Sequence, residues 1–258
     1  MQGRGFWRVT GTLATVVVML FAAGQTWAMV AQQQSVSERT YRVGVSRVQL
    51  DAGIAAVRIR PGRDGQVVVK QYLDWTVRKP TVRTVFEDDT LTVQVRCNQV
   101  VPIADVGCGA QIDLEVPAAA GVTGGSTSGS LDVRGLSGEV RVSSGSGAIQ
   151  LAGLSGPVYA RATSGAVDAK GLTSARFEVD TTSGAVDVAF ARPPHAVSVG
   201  VSSGSVTLAL PEGSRYAFSG EGGSGNRHLD PVLADASSPD TVRITAGSGS
   251  VSVVPAHG

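Results

Sequence analysis

The sequence predicts an all-β protein coiled as a β-solenoid, a single-stranded β-helix with rungs of 18–20 residues. Three observations predict it. A Ser-Gly phrase followed by an alternating strand returns along the chain, at Ser128-Gly129-Ser130-Leu131-Asp132-Val133, Gly147-Ala148-Ile149-Gln150-Leu151, Ser164-Gly165-Ala166-Val167-Asp168 and Ser183-Gly184-Ala185-Val186-Asp187, with later copies at Ser203-Gly204 and Ser248-Gly249. The glycines at 129, 147, 165, 184 and 204 are spaced by 18, 18, 19 and 20 residues, the self-similarity of a stacked repeat. Composition points the same way: 33 glycines among 258 residues, abundant Val, Ser and Thr and 5% aromatics favour short strands joined by tight turns.

Aligned on those glycines, Leu131, Ile149, Val167, Val186, Val206 and Val251 form one apolar column. Val133, Leu151, Ala169, Val188, Leu208 and Val253 form another two residues on. The residues between them are polar, as period-two alternation requires when one face of a sheet is buried. A second strand precedes each glycine, with inward columns Val140, Val158, Phe177, Val197, Val242 and Val142, Ala160, Val179, Val199, Ile244. Leu136, Leu154 and Leu172 add a further apolar column after Gly135, Gly153 and Gly171. Rungs stacked at about 4.8 Å would make the clean repeats a rod on the order of 30 Å long. The marked glycines are expected to turn the chain at one corner through positive φ, with neighbouring Ser and Thr bonding the turn backbone.

The chain begins with a targeting pattern. Arg4 and Arg8 precede an apolar run from Leu13 to Ala23, and Thr26-Trp27-Ala28 supplies small residues for cleavage, so residues 1–28 read as a signal peptide cut after Ala28. The run is shorter than the roughly 20 residues of a membrane span, and contact with a membrane is expected only through this segment before cleavage. Its removal takes two arginines and no acid from 22 basic and 21 acidic side chains, leaving 20 against 21. That balance offers nothing to nucleic acid.

Residues 29–39 are expected to form a flexible lead-in, and residues 40–117 an N-terminal β section able to stack on the solenoid of residues 118–258. Alternating segments at Tyr41–Val43, Val48–Leu50, Ile54–Arg60, Gln66–Leu73, Val82–Phe86, Leu91–Arg96 and Ile112–Val116 carry the N-terminal section, with turns at Pro61-Gly62 and Asp88-Asp89. Cys97 and Cys108, 11 positions apart, fit a structural disulfide in an oxidising compartment. A soft boundary falls at Pro117, and residues 220–239 read as a long loop before a last rung at Thr241–Val253.

Lined up in this order, these phrases resemble the bacterial putative adhesin family over roughly residues 44–254. The resemblance is carried by Gly53-Ile54, by Ile112-Asp113-Leu114-Glu115-Val116-Pro117, by the Ser-Gly repeats and by Val206-Thr207-Leu208-Ala209-Leu210-Pro211. It implies an exported, non-enzymatic β-helical protein with no catalytic motif to transfer. The long loop departs from the family's regular period.

The chemistry the sequence offers is sparse. Gly220-Glu221-Gly222-Gly223-Ser224-Gly225 fits a dinucleotide fingerprint but no helix follows it, so it reads as a glycine-rich loop. His195, His228 and His257 lack metal-ligand spacing, and the column of Asp132, Asp168 and Asp187 is interrupted by Gln150; neither a metal nor a cofactor is expected. Outward positions place Arg141, Tyr159, Arg161, Glu178 and Asp180 in a mixed patch, with Arg161 and Asp180 on adjacent rungs. Trp75, with Tyr72, Tyr159 and Tyr216, is the aromatic surface available for a glycan, although Tyr72 and Trp75 serve equally well as packing that caps the first rung.

The expectation is therefore an exported, non-enzymatic binding or structural module of the periplasm or cell surface, with an envelope glycan or a surface protein as partner. Two other readings stand beside it: a carbohydrate-active β-helix enzyme, either a polysaccharide lyase or a hydrolase, and a scaffold that assembles through its ends.

Overall fold

The structure, a computed structural model, describes residues 33–76, 78–97, 108–221 and 225–256. The signal peptide and its cleavage site lie outside the described residues. The described chain forms β1 (Gln33–Tyr41), β2 (Arg47–Asp51), β3 (Ala56–Pro61), β4 (Val67–Trp75), β5 (Thr81–Glu87), β6 (Thr90–Arg96), β7 (Cys108–Val116), β8 (Gly121–Ser126) and β9 (Leu131–Arg134). It continues as β10 (Val140–Ser144), β11 (Ile149–Ala152), β12 (Val158–Ala162), β13 (Val167–Leu172), β14 (Arg176–Phe190), β15 (Ala196–Pro211), β16 (Ala217–Ser219), β17 (Arg227–Leu229) and β18 (Thr241–Ala256). Among the described residues the only helix is a 3₁₀ turn at Pro231–Leu233. All eighteen strands belong to one sheet, and the fold is all-β and solenoid-like.

Two parallel ladders run through this sheet. The first stacks β6, β2, β8, β10, β12 and then the leading halves of β14, β15 and β18. The second stacks β7, β3, β9, β11, β13 and the trailing halves of the same three strands. Like pairs with like: Val140 is opposite Val158, and Ile149 lies between Leu131 and Val167. The inward columns of both ladders share one buried core, which Leu136, Leu154 and Leu172 close at the third side. A fully buried Val or Leu contributes about 1.5–3 kcal/mol, so the stacked columns supply most of the cohesion.

Two glycine columns serve this stacking for different reasons. At Gly135, Gly153 and Gly171, φ is 67°, 60° and 62°, a left-handed turn that a Cβ would strain. Of the marked glycines, Gly184 and Gly204 take the expected positive φ, at 154° and 147°, but the first three behave otherwise. Gly129, Gly147 and Gly165 do not take positive φ; instead, a Cβ on Gly147 would run into the carbonyl of Gly129, and one on Gly165 into that of Gly147. The expected positive-φ corner is thus corrected for these positions: glycine is needed because successive backbones nearly touch.

At both ends the order of layers departs from the order of the chain. The layer of β2 and β3 lies between that of β8 and β9 and that of β6 and β7. At the other end β18 lies between β15 on one side and β16 with β17 on the other. The segment expected as a loop at 220–239 therefore contributes an outer layer. Gly220 stacks over Ile244 and Gly225 over Gly249, β17 pairs with β18, and Asp230 caps the 3₁₀ turn by accepting from the Val232 N–H. Thr241–Val253 is the last layer in sequence but not in space.

The first end is closed by antiparallel strands, β5 on β6 and β4 on β7, with β1 outermost on β4. This corrects the flexible lead-in for residues 33–39, which pair with residues 69–75. Cys97 and Cys108 are joined and tie the end of β6 to the start of β7. No break in the sheet occurs at Pro117: β8 bonds to β2, and β9 to β3.

Candidate functional site

Where β12, β14, β15 and β18 approach the bend between the ladders, their outward residues line a groove of about 560 Å³. Strand alternation places its side chains in two exposed columns. One is Arg161, Asp180, Gly200 and Thr245, each hydrogen-bonded in register to the next strand. The other, two residues further along, is Thr163, Thr182, Ser202 and Gly247. Gly200 and Gly247 leave the floor low, and the hydroxyls of Thr163, Thr182, Ser202 and Thr245 stand around it.

The charged groups of the lining face each other. An Arg161 guanidinium nitrogen donates to Asp180 Oδ2 at 3.3 Å, with the two side chains 75% and 47% exposed. The Asp180 carboxylate leans over the next strand, so that a Cβ on Gly200 would stand 2.5 Å from Oδ1. Beside the groove, Arg141 donates to Glu139 at 2.7 Å and lies 4.0 Å from the centroid of the Tyr159 ring. That hydrogen bond to Glu139 pushes the already high pKa of Arg141 further up. The column Arg141, Tyr159, Glu178, Ser198, Arg243 mixes both signs of charge. Paired donors and acceptors in an exposed hollow can hydrogen-bond a polar ligand.

Of the residues singled out from sequence, Arg141, Tyr159, Arg161, Glu178 and Asp180 come together on this face, and only Arg161 and Asp180 line the groove. Trp75 stands apart, at the end of β4 opposite Gln33 and Cys108, with Lys79 Nζ 5.1 Å from its ring centroid. A second depression, of about 420 Å³, lies near that end, between exposed Val36 and Tyr72. Tyr216 is no platform: it is fully buried against Phe218 in the outer layer of the other end. Among the histidines, the His195 Nδ1 lies 2.8 Å from Asp240, and His257 lies outside the described residues. The aspartate column does form, but Arg134 pairs Asp132 and Lys170 pairs Asp168.

Sequence reasoning missed Thr163, Thr182, Ser202, Thr245, Gly200 and Gly247. A signal was present: reading two residues before each marked glycine gives Thr163, Thr182 and Ser202, a hydroxyl column hidden by attention to the apolar ones.

Comparison with known proteins agrees with this architecture. A putative adhesin from Bacteroides fragilis is 13% identical, with 86% of this chain and 97% of that chain covered and a TM-score of 0.50. A putative lipid binding protein from Parabacteroides distasonis is 12% identical, with the same coverages and a TM-score of 0.51. At these identities the likeness concerns the fold alone. No curated protein matches the chain. The model of the Toastrack DUF4097 family matches residues 109–254, from the first residues of β7 through the buried columns of β18, and by that match over more than half its length the chain belongs to the Toastrack DUF4097 family.

Proposed function

We propose that this chain is an exported, non-enzymatic, adhesin-like binding module of the periplasm or cell surface. It is a β-solenoid whose rungs of 18–20 residues each turn at a Ser-Gly corner, and it holds its ligand in the groove across β12, β14, β15 and β18. The observation that carries the reading is the groove itself: paired charges and free hydroxyls arranged in register on a rigid parallel sheet. Rigid scaffolds of this kind present polar groups at low entropic cost. Export is supported by the Cys97–Cys108 disulfide, since such bonds persist in oxidising compartments.

The enzymatic alternative rests on Glu178 and Asp180, which share one outward face two residues apart on β14. A glycosidase pair must grip a bond from opposite sides, and carboxylates side by side on an open sheet do not. The test is retention of purified protein on isolated cell-envelope material, with released saccharide assayed in the same tubes. Retention without product, lost in Ser202→Trp, is the expected result. Product release abolished by Asp180→Asn, or retention indifferent to Ser202→Trp, overturns the reading.

A further inference from the structure

Resting on the groove as the binding surface, we infer that its ligand is a linear, uncharged polysaccharide laid along the stacking axis, one sugar to each strand. The lining sets the chemistry. Thr163, Thr182, Ser202 and Thr245 each offer a hydroxyl that both donates and accepts, the requirement for bonding sugar hydroxyls whose own orientation varies. Arg161 adds a planar fork of donors and Asp180 a pair of acceptors, suited to vicinal hydroxyls at one end of the groove.

Charge sets the class. The guanidinium and the carboxylate of the lining are already paired to each other, and in the neighbouring column Glu178 offsets Arg243, so the face holds no net positive field for a polyanion. Geometry sets the direction. The columns cross four parallel strands, about 14 Å at the usual spacing of neighbouring strands, and an extended pyranose chain advances by nearly one strand spacing per ring. Each strand then meets an equivalent part of the next sugar. Because Arg141 already covers the Tyr159 ring, recognition rests on hydrogen bonds more than on ring stacking. Affinity must therefore accumulate with ligand length.

The experiment is calorimetric titration of the purified protein with neutral β-1,4- and α-1,4-linked gluco-, xylo- and N-acetylglucosamine oligosaccharides of two and six units, and with polygalacturonate. Expected are binding of at least one neutral six-unit chain about tenfold tighter than its two-unit form, and about tenfold weaker binding in both Arg161→Ala and Ser202→Trp. Asp168→Asn, on the other ladder, should bind as wild type, and melting curves check that every variant is folded. If Ser202→Trp does not fold, Arg161→Ala and Thr182→Val, which add no bulk, decide the matter. Binding of polygalacturonate in preference to every neutral chain overturns the ligand class, as does absence of neutral binding. When envelope retention still depends on Ser202 in that case, the groove stands and only the class falls; when retention ignores Ser202, the groove itself falls.

Discussion

The carboxylate of Asp180 spans two neighbouring strands, its Oδ2 accepting from Arg161 on β12 while its Oδ1 rests over Gly200 on β15. Gly200→Val would push aside a flexible side chain, not a backbone, and would improve the β-propensity of β15. Stability should stay within about 1 kcal/mol of wild type, while the groove fills and ligand retention is lost. Denaturant midpoints set beside a retention assay check both halves of the statement; a large loss of stability would show that Asp180 is rigidly held.

The two glycine columns should respond differently to the same substitution. At Gly165 a Cβ meets the carbonyl of Gly147, so Gly165→Ala must separate two layers and should cost about 1–3 kcal/mol. At Gly153 there is open space but φ is 60°, so Gly153→Ala should cost about 1–2 kcal/mol. Asparagine separates the causes: it tolerates left-handed φ, so Gly153→Asn should recover most of the loss, while Gly165→Asn should be worse than alanine. Equal behaviour in urea melts would refute the distinction.

Charge in a stacked column should be intolerable. Val167 and Val186 are opposite each other and 1% and 0% exposed, so Val167→Asp or Val186→Asp leaves a carboxylate without water or partner. A loss of about 4 kcal/mol or more is expected, enough to unfold many domains. Asp168→Asn, one residue away on the solvent face, should change stability by about 0.5 kcal/mol or less. Circular dichroism melts of the three proteins test the assignment of faces.

Much of this was legible in the sequence. The columns through Val167 and Val186 follow from alternation and repeat, because a buried face admits a single pattern. β8 was not legible: Gly121-Val122-Thr123-Gly124-Gly125-Ser126 holds a single large apolar residue, and glycine is required there because a Cβ on Gly124 would strike Leu50. β1 was missed because its residues are polar and exposed, and its strand form comes from backbone pairing with β4. The order of layers at the ends was hidden too, since periodicity says which residues stack but not which layer lies next to which. The groove depends on Gly200 and Gly247, whose missing side chains look like gaps in a pattern until the strands are placed.

One buried hydroxyl offers a stabilising change. Thr181 is 4% exposed at the bend and its Oγ1 has no hydrogen-bond partner, while its neighbour on β15 is Val201. Thr181→Val keeps the shape and removes the unpaired group, and should raise stability by about 1 kcal/mol. An unchanged or lowered midpoint would mean that the hydroxyl is bonded in solution.

The disulfide should act locally. Cys97 and Cys108 close a short loop at the first end, so replacing both by serine should cost about 3 kcal/mol in the chain-entropy account. Hydrogen exchange should accelerate in β5, β6 and β7 before it does in β12 or β13. Uniform acceleration would mean that the whole stack melts as one unit.

The placement of β18 between β15 and the outer layer bears on how the protein is made. During synthesis residues 196–211 finish well before residues 241–256, and β16 and β17 have no strand to rest on until the latter arrive. Throughout that interval the exposed margin of β15 is sixteen residues long, parallel and bare, the kind of template on which unfinished chains join one another. The first end has the same schedule, since β2 and β3 wait for β8 and β9. The nascent protein is thus at its most vulnerable at the two places where the finished one is best closed, and a pause or truncation before residue 241 should yield aggregates, not a shorter rod.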